Sequence, residues 1–191
     1  MLKIATHNSG TGEKPGNILS WLMIPFARTQ GKTIREQFEA GCTLFDIRVK
    51  KCGDKMKCAH GIFETKRTAE SILNEIDILA TATTVYVALT YEGTLKGEQE
   101  KTEFINWVEK MKNHFPNITW CEVCVKYTDS GISVDWLRLI DSEVRLKSES
   151  NFIHLDGSSW HTFIPIPWLW DKIYTNKHVF NEEYHTYVDF L

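Results

Sequence analysis

The chain has 191 residues, of which 42% are hydrophobic and 25% are charged, and its formal net charge at pH 7 is −3. This length predicts one globular domain over residues 1–191 with a core of its own. A charge so close to neutral argues against electrostatic binding of a nucleic-acid polymer. No apolar run reaches the roughly 20 residues of a membrane-spanning helix, and no signal-peptide pattern is seen. We therefore expect a protein that is cytoplasmic or peripheral at membranes.

The chain has five cysteines, an odd number that does not fit a secreted disulfide framework. Cys121 and Cys124 have CxxC spacing within the strand-like run ITWCEVCVKY. Residues three apart on a strand point to opposite faces, which predicts buried thiols rather than a shared metal. Cys52 and Cys58 flank the hairpin-like turn GDKM, where a disulfide on oxidation is the alternative to free thiols.

Strand-like and helix-like stretches alternate along the chain. Thr33 and Glu36 form a capping-box pattern, and Gly41 is typical of the end of that helix. The predicted elements, in chain order, are strand 2–6, helix 33–41, strands 42–49 and 57–60, helix 68–82, strand 84–92, helix 98–115, strand 118–127, helix 134–149, strand 151–156, helix 176–185 and strand 186–191.

About seven strands separated mostly by helices predict a parallel α/β fold. An open doubly wound sheet and a closed barrel both fit this order. The sequence contains no GxGxxG motif and no P-loop, so the nucleotide-binding sheets lose their main support.

Polar side chains follow or interrupt these predicted strands. In a parallel barrel, catalytic groups lie at the C-terminal ends of the strands. Each residue alone has an ordinary explanation, such as a turn histidine or a structural ion pair. Ionisable groups in apolar strands are nevertheless costly to bury unless they are paired. In strand order these residues are His7 and Asn8, Asp46 and Arg48, His60, Thr90 and Glu92, Lys126, and Asp189.

Two histidines and an arginine suit the cleavage of a phosphodiester by a neighbouring hydroxyl. One imidazole takes the proton of the attacking hydroxyl, and the other gives a proton to the leaving oxygen. A guanidinium binds the phosphate oxygens and offsets the charge that develops on them. A carboxylate behind the base fixes its tautomer.

The motifs ATHNSGTGE, TIREQFEAGCTLFDIRV, CAHGIFE and TVYVALTYE stand in this order along the chain. Together they resemble the X domain of phosphatidylinositol-specific phospholipase C, most closely the compact bacterial enzymes. The resemblance is dense over residues 3–92, thin afterwards, and returns in the final stretch TYVDFL.

The resemblance implies a distorted, incompletely closed TIM-like (β/α) barrel and a phosphoric diester lyase or hydrolase acting on phosphatidylinositol. It implies His7 as the base toward the inositol 2-hydroxyl, oriented by Asp189, and His60 as the acid toward the diacylglycerol oxygen. Arg48 would hold the phosphate, with Asp46 as the acidic partner beside His60 and Arg48. The expected products are diacylglycerol and inositol 1,2-cyclic phosphate.

The sequence departs from the family pattern at substrate-contacting positions. Asn8 stands where the bacterial enzymes have aspartate, and Thr90 stands where a lysine is expected. Lys126 is the nearest match to a basic substrate contact. The expected substrate contacts are Asn8, Lys126, Glu92 and Asp135.

The resemblance also bears on metal use. Calcium-dependent relatives have a carboxylate where this chain has Arg48, and a guanidinium there supplies the positive charge itself. We therefore expect no cofactor, with calcium as the disfavoured alternative.

Two short apolar stretches, NILSWLMIPF (17–26) and FIPIPWLW (163–170), are rich in tryptophan and proline. Trp21, Trp168 and Trp170 suit the headgroup level of a membrane. The alternative is that these side chains pack in the core. We expect transient, peripheral membrane contact by a monomer.

Two other functions remain open. One keeps the chemistry on a soluble, nucleotide-type substrate with a vicinal hydroxyl. The other is an inactive module that binds inositol phosphates or membranes.

Overall fold

The computed structural model describes residues 4–6, 8–127, 137–140, 152–155 and 185–188. The strands of these ranges are β1 Ile4–Thr6, β2 Cys42–Cys52, β3 Lys55–His60, β4 Phe63–Thr68, β5 Tyr86–Thr94, β6 Thr119–Tyr127, β7 Leu137–Ile140, β8 Phe152–Leu155 and β9 His185–Val188. The helices are α1 Ile18–Leu22, α2 Ile24–Ala27, α3 Ile34–Glu39, α4 Ala69–Leu79 and α5 Gly97–His114, with a 3₁₀ turn at Ser9–Gly12.

The strands form one mixed sheet with the order β7-β6-β5-β2-β1-β9-β8. Pairing is parallel from β6 through β8. Strand β7 is antiparallel to β6, and β3 is antiparallel to both β2 and β4. The expectation of an all-parallel sheet is therefore wrong at these strands. Among the described strands the sheet is open, ending in β7 and β8, and a closed barrel is not observed.

The helix predicted over 134–149 is wrong at β7, which pairs with β6 from Leu137 to Ile140. The apolar residues of this segment fit helical spacing as well as strand alternation. Pairing with β6 decides between them, because it satisfies backbone groups that an unpaired edge would leave without partners. The predicted helix 176–185 lies outside the described residues, except that His185 begins β9.

A hairpin extends the sheet beyond the predicted end of the second strand. Strand β2 continues to Cys52, and β3 folds back on it so that Cys58 lies opposite Val49. Cys58 therefore shares the face of Val49. Cys52 lies three residues from Val49 on β2, so its side chain points to the opposite face. Both thiols are free, and no disulfide joins them.

The two faces of β2 have opposite characters. Phe45, Ile47 and Val49 are fully buried in the hydrophobic core, which α4 and α5 complete from outside the sheet. Asp46 and Arg48 alternate with these residues and therefore share the other face. Strand β5, predicted as a strand over 84–92, is buried on both faces from Val87 to Glu92.

The start of α3 confirms the capping box. The Thr33 side chain accepts from the Glu36 amide, and the Glu36 carboxylate accepts from the Thr33 amide. Gly41 follows with φ 96°, a backbone conformation that favours glycine. This helix therefore ends just before the turn into β2.

None of the helices in the described ranges is long and apolar enough to cross a bilayer.

Candidate active site

Arg48 lies between two buried carboxylates at the C-terminal edge of the sheet. Its Nε donates to Oδ2 of Asp46 at 3.2 Å, and its Nη1 lies 3.6 Å from Oε2 of Glu92. The side chains of Arg48, Asp46 and Glu92 are 8%, 1% and 2% exposed. A buried charge is tolerated when it is paired and hydrogen-bonded. The two carboxylates therefore hold the Arg48 guanidinium in one orientation.

The loop after β1 brings a backbone amide to the same carboxylate. The Asn8 amide donates to Oδ2 of Asp46 at 3.3 Å, and Asn8 has φ 48° in the left-handed region that asparagine tolerates. The Thr11 hydroxyl donates to the Asn8 carbonyl at 2.8 Å. A Cβ at Gly12 would lie 1.7 Å from the carbonyl oxygen of Lys32, so this close approach requires glycine.

Glu92 links Arg48 to the turn that follows His60. Its Oε1 accepts from the Gly61 amide at 3.1 Å, across 31 residues of sequence. Gly61 has φ 60°, so the turn has the left-handed geometry that glycine adopts without strain. The hydrogen bond from Gly61 to Glu92 of β5 therefore helps to fix this turn, in addition to its connection to β3.

His60 is held by the end of α2. Its Nδ1 lies 2.8 Å from the carbonyl oxygen of Ala27. A carbonyl only accepts, so Nδ1 carries the proton in this hydrogen bond.

Several predicted site residues fall outside the described part of the chain. His7, Asp135, Asp189, Trp168 and Trp170 lie outside the described residues. Thr6 and Val188, which directly precede His7 and Asp189 in the chain, pair with each other at the ends of β1 and β9.

Strands β5 and β6, which correspond to the predicted strands 84–92 and 118–127, pair beside this site. Thr90 is buried and pairs with Arg48 across β2 and β5. On its other side Thr90 pairs with Cys124 of β6. Lys126 lies two residues further along β6, and its side chain is outside the described part.

Sequence reasoning missed the residues that hold the site together. The Ala27 carbonyl and the Gly61 amide carry no side-chain signal. Glu13 is also buried, with its carboxylate 3.3 Å from Nη1 of Arg67 and 3.3 Å from the Ile34 amide. The sequence signal for Glu13 is its place as an acidic residue at the end of a glycine-rich turn.

Trp21 does not pack in the core. It is 63% exposed on α1, so the core-packing alternative is wrong for this residue. It belongs to a group that we call the exposed apolar cluster, whose members are all at least half exposed: Ile18, Leu19, Trp21, Leu22, Phe26 and Ile62. A group of this kind marks an interaction surface more often than a bare monomer surface.

Burial makes the Cys42 and Cys58 thiols poor nucleophiles at neutral pH. Burial raises the pKa of the Cys42 thiol to about 11, and burial also raises the pKa of Cys58. Cys121 is buried, as predicted, whereas the Cys124 side chain lies outside the described part. In the described ranges, no three His, Cys, Asp or Glu side chains are grouped to hold a metal ion. The expectation of metal-free chemistry stays a prediction.

The described site can therefore bind an anion and exchange a proton beside it. Arg48 supplies a fixed guanidinium, and His60 supplies an imidazole whose tautomer is set by Ala27. Both lie at one edge of the sheet, joined through Glu92 and the Gly61 amide.

Comparison with known proteins supports the fold. No family model matches the chain, and no curated protein matches its sequence. The phosphatidylinositol-specific phospholipase C of Listeria monocytogenes is similar in structure, with a TM-score of 0.55 and 17% identity over 98% of this chain and 72% of that one. At this identity the match shows a shared α/β fold.

Two structures of the phosphatidylinositol-specific phospholipase C of Staphylococcus aureus also match. The first has a TM-score of 0.40 and 20% identity over 48% of this chain and 30% of that one. The second, a point mutant, has a TM-score of 0.44 and 19% identity over 59% and 39%. This chain thus spans less than half the length of either S. aureus structure.

Proposed function

We propose that this protein cleaves phosphatidylinositol as a phospholipase C, giving diacylglycerol and inositol 1,2-cyclic phosphate. The observation that carries the proposal is Arg48, fixed between Asp46 and Glu92 beside a tautomer-defined His60. The name of the similar Listeria enzyme denotes this class of activity, and the sequence motifs resemble the same family.

Arg48 is proposed as the phosphate-binding residue. A guanidinium has five N–H donors in a planar fork, a geometry that matches the oxygens of a phosphate. The two carboxylates fix that fork, so its charge is already oriented when negative charge develops on the phosphate oxygens. Preorganised charge of this kind acts without reorganisation cost.

Two histidines are proposed to move the protons. His7 takes the proton of the inositol 2-hydroxyl as that oxygen attacks phosphorus, and Asp189 orients His7. The bond between phosphorus and the diacylglycerol oxygen breaks, and His60, charged as imidazolium, gives this oxygen its proton from Nε2. The pairing of Thr6 with Val188 supports the His7–Asp189 pair, because each residue directly follows one of these neighbours in the chain.

Arg48 also supports chemistry without a metal. Its positive charge lies between Asp46 and Glu92, the two carboxylates beside which a cation would otherwise bind. We therefore propose no cofactor, with calcium as the alternative that chelation tests.

The remaining assignments belong to the same proposal. The fold is an incompletely closed TIM-like barrel formed by a single catalytic domain over 1–191, acting as a monomer at the membrane surface. Asn8, Lys126 and Asp135 contact the headgroup, and Glu92 borders it while holding Arg48 and the Gly61 amide. Trp21, Trp168 and Trp170 contact the membrane, and the exposed apolar cluster around Trp21 supports this contact.

The test compares His60→Gln with His114→Gln, a matched change at an exposed histidine near the end of α5. Cleavage of phosphatidylinositol vesicles and of a ribodinucleotide is followed for each. We expect His60→Gln to lose about 10²–10⁴-fold in lipid cleavage and His114→Gln to keep the wild-type rate. Ribodinucleotide cleavage alone would favour the soluble phosphodiesterase, and no turnover of either would favour the inactive module.

A further inference from the structure

A pocket of about 360 Å³ lies beside the β2–β3 hairpin and borders the candidate active site. Lys50 lines it from β2, two residues after Arg48 and on the same face. Gly61, whose amide donates to Glu92, lines it as well. Lys50 and Gly61 thus connect this pocket, which we call the lysine pocket, to the groups that surround Arg48.

Two lysines line the pocket from neighbouring strands. Lys50 pairs in register with Lys57 on antiparallel strands, so both side chains leave the same face of the hairpin. Like charges placed directly opposite each other destabilise a strand pair. Lys57 Nζ is 3.0 Å from Oε1 of Glu64, whereas Lys50 has no ion-pair partner among the described residues.

The other ionisable groups of the pocket do not cancel this charge. Burial raises the pKa of the Cys52 thiol to about 11, so that thiol is neutral at physiological pH. Glu64 is therefore the single carboxylate against two ammonium groups in the pocket. A bound anion would relieve the repulsion between Lys50 and Lys57.

The lysine pocket adjoins the exposed apolar cluster. Glu64 also accepts from Nδ2 of Asn17 at 2.8 Å, and its amide donates to Oγ of Ser20 at 3.0 Å. Asn17 caps α1, the helix that carries Trp21. Ile62 lines the pocket itself and is 53% exposed. One hydrogen-bonded carboxylate therefore joins a cationic pocket to an apolar surface.

We infer that the lysine pocket binds the headgroup phosphate of a membrane lipid while the exposed apolar cluster enters the bilayer, so that the protein selects anionic membranes. A bilayer is a partner that presents phosphates and acyl chains a few ångströms apart. A soluble anion would leave the apolar cluster exposed. The inference rests on the proposed function only in taking a membrane as the partner.

The test measures vesicle binding without any inositol lipid, so it does not depend on catalysis. Wild type, Lys50→Gln and Lys51→Gln are sedimented with vesicles of phosphatidylcholine, alone or mixed with phosphatidylglycerol. Lys51 is a matched control, since it is the next residue, points to the other face of β2 and pairs with the exposed Glu103 at 3.1 Å. Thermal unfolding of each variant checks that the fold is intact.

We expect phosphatidylglycerol to strengthen wild-type binding about tenfold, and more at low salt than at high salt. Lys50→Gln should weaken binding to these anionic vesicles about fivefold, and Lys51→Gln by less than about twofold. Trp21→Ala should weaken binding to both kinds of vesicle, because it removes apolar contact rather than charge.

Equal losses in Lys50→Gln and Lys51→Gln would overturn the inference, because they would indicate general attraction with no defined pocket. Equal wild-type binding to both kinds of vesicle would also overturn it. So would calorimetric binding of inorganic phosphate, lost in Lys50→Gln, by a protein that binds no vesicles. Lipid cleavage is measured separately, so failure of the proposed function leaves these results unaffected.

Discussion

The Gly61 amide donates to Oε1 of Glu92 at 3.1 Å, so a residue on β5 fixes the turn that follows His60. The other oxygen of the same carboxylate lies 3.6 Å from Nη1 of Arg48. One buried side chain thus sets the spacing between the proposed phosphate-binding residue and the proposed acid.

Replacement of Glu92 separates its hydrogen bond from its charge. Glu92→Ala removes the acceptor of the Gly61 amide, and we expect kcat to fall about 10²-fold, because small misplacements of catalytic groups have effects of this size. Glu92→Gln keeps an acceptor oxygen and should lose less. Steady-state kinetics on phosphatidylinositol measure both variants. A change in KM with unchanged kcat would contradict a positioning role.

Replacement of Arg48 tests the guanidinium fork. Arg48→Lys keeps a positive charge between Asp46 and Glu92 but loses the planar arrangement of donors. We expect kcat/KM to fall about 10²–10³-fold, while a thermal melt shows a folded protein. Arg35→Lys, at an arginine whose side chain is 54% exposed, is the control and should keep the wild-type rate. An active Arg48→Lys would show that charge alone is sufficient.

Gly12 tests the close packing of the loop after β1. A Cβ there would lie 1.7 Å from the Lys32 carbonyl oxygen, so backbone must move. We expect Gly12→Ala to lower the free energy of unfolding by about 3 kcal/mol. Gly53→Ala is the control: Gly53 has φ 61° but open space around it, and this change should cost about 1 kcal/mol. Urea titrations measure both, and equal costs would contradict the packing argument.

Glu64 makes stability depend on pH in the acid range. Hydrogen bonds from the Cys52 thiol and then from Lys57 hold the Glu64 pKa below its ordinary value of 4.5. The ionised carboxylate therefore stabilises the fold fully above pH 4.5, and this contribution is lost as the pH falls through the lowered pKa. Urea titrations from pH 7 to pH 3 should show wild type losing its advantage over Glu64→Gln in this range. A constant difference would contradict the shift.

The sequence predicts the elements with strong local signals. The capping box of α3 and the alternation of Asp46 and Arg48 with apolar neighbours both have the structures expected of them. Strands β4 and β7 were not predicted, because antiparallel pairing with β3 and β6 forms them and their own patterns are weak. The Ala27 carbonyl beside His60 is a backbone contact across 33 residues, which no local pattern indicates.

The central claim is the cleavage of phosphatidylinositol by its own 2-hydroxyl at a metal-free site. Its most direct test is phosphorus NMR of the wild-type reaction on phosphatidylinositol vesicles, with and without a chelator. The account predicts that inositol 1,2-cyclic phosphate is the first product, formed at the same rate in both samples. An acyclic inositol phosphate as the first product, or loss of the reaction on chelation, would contradict it.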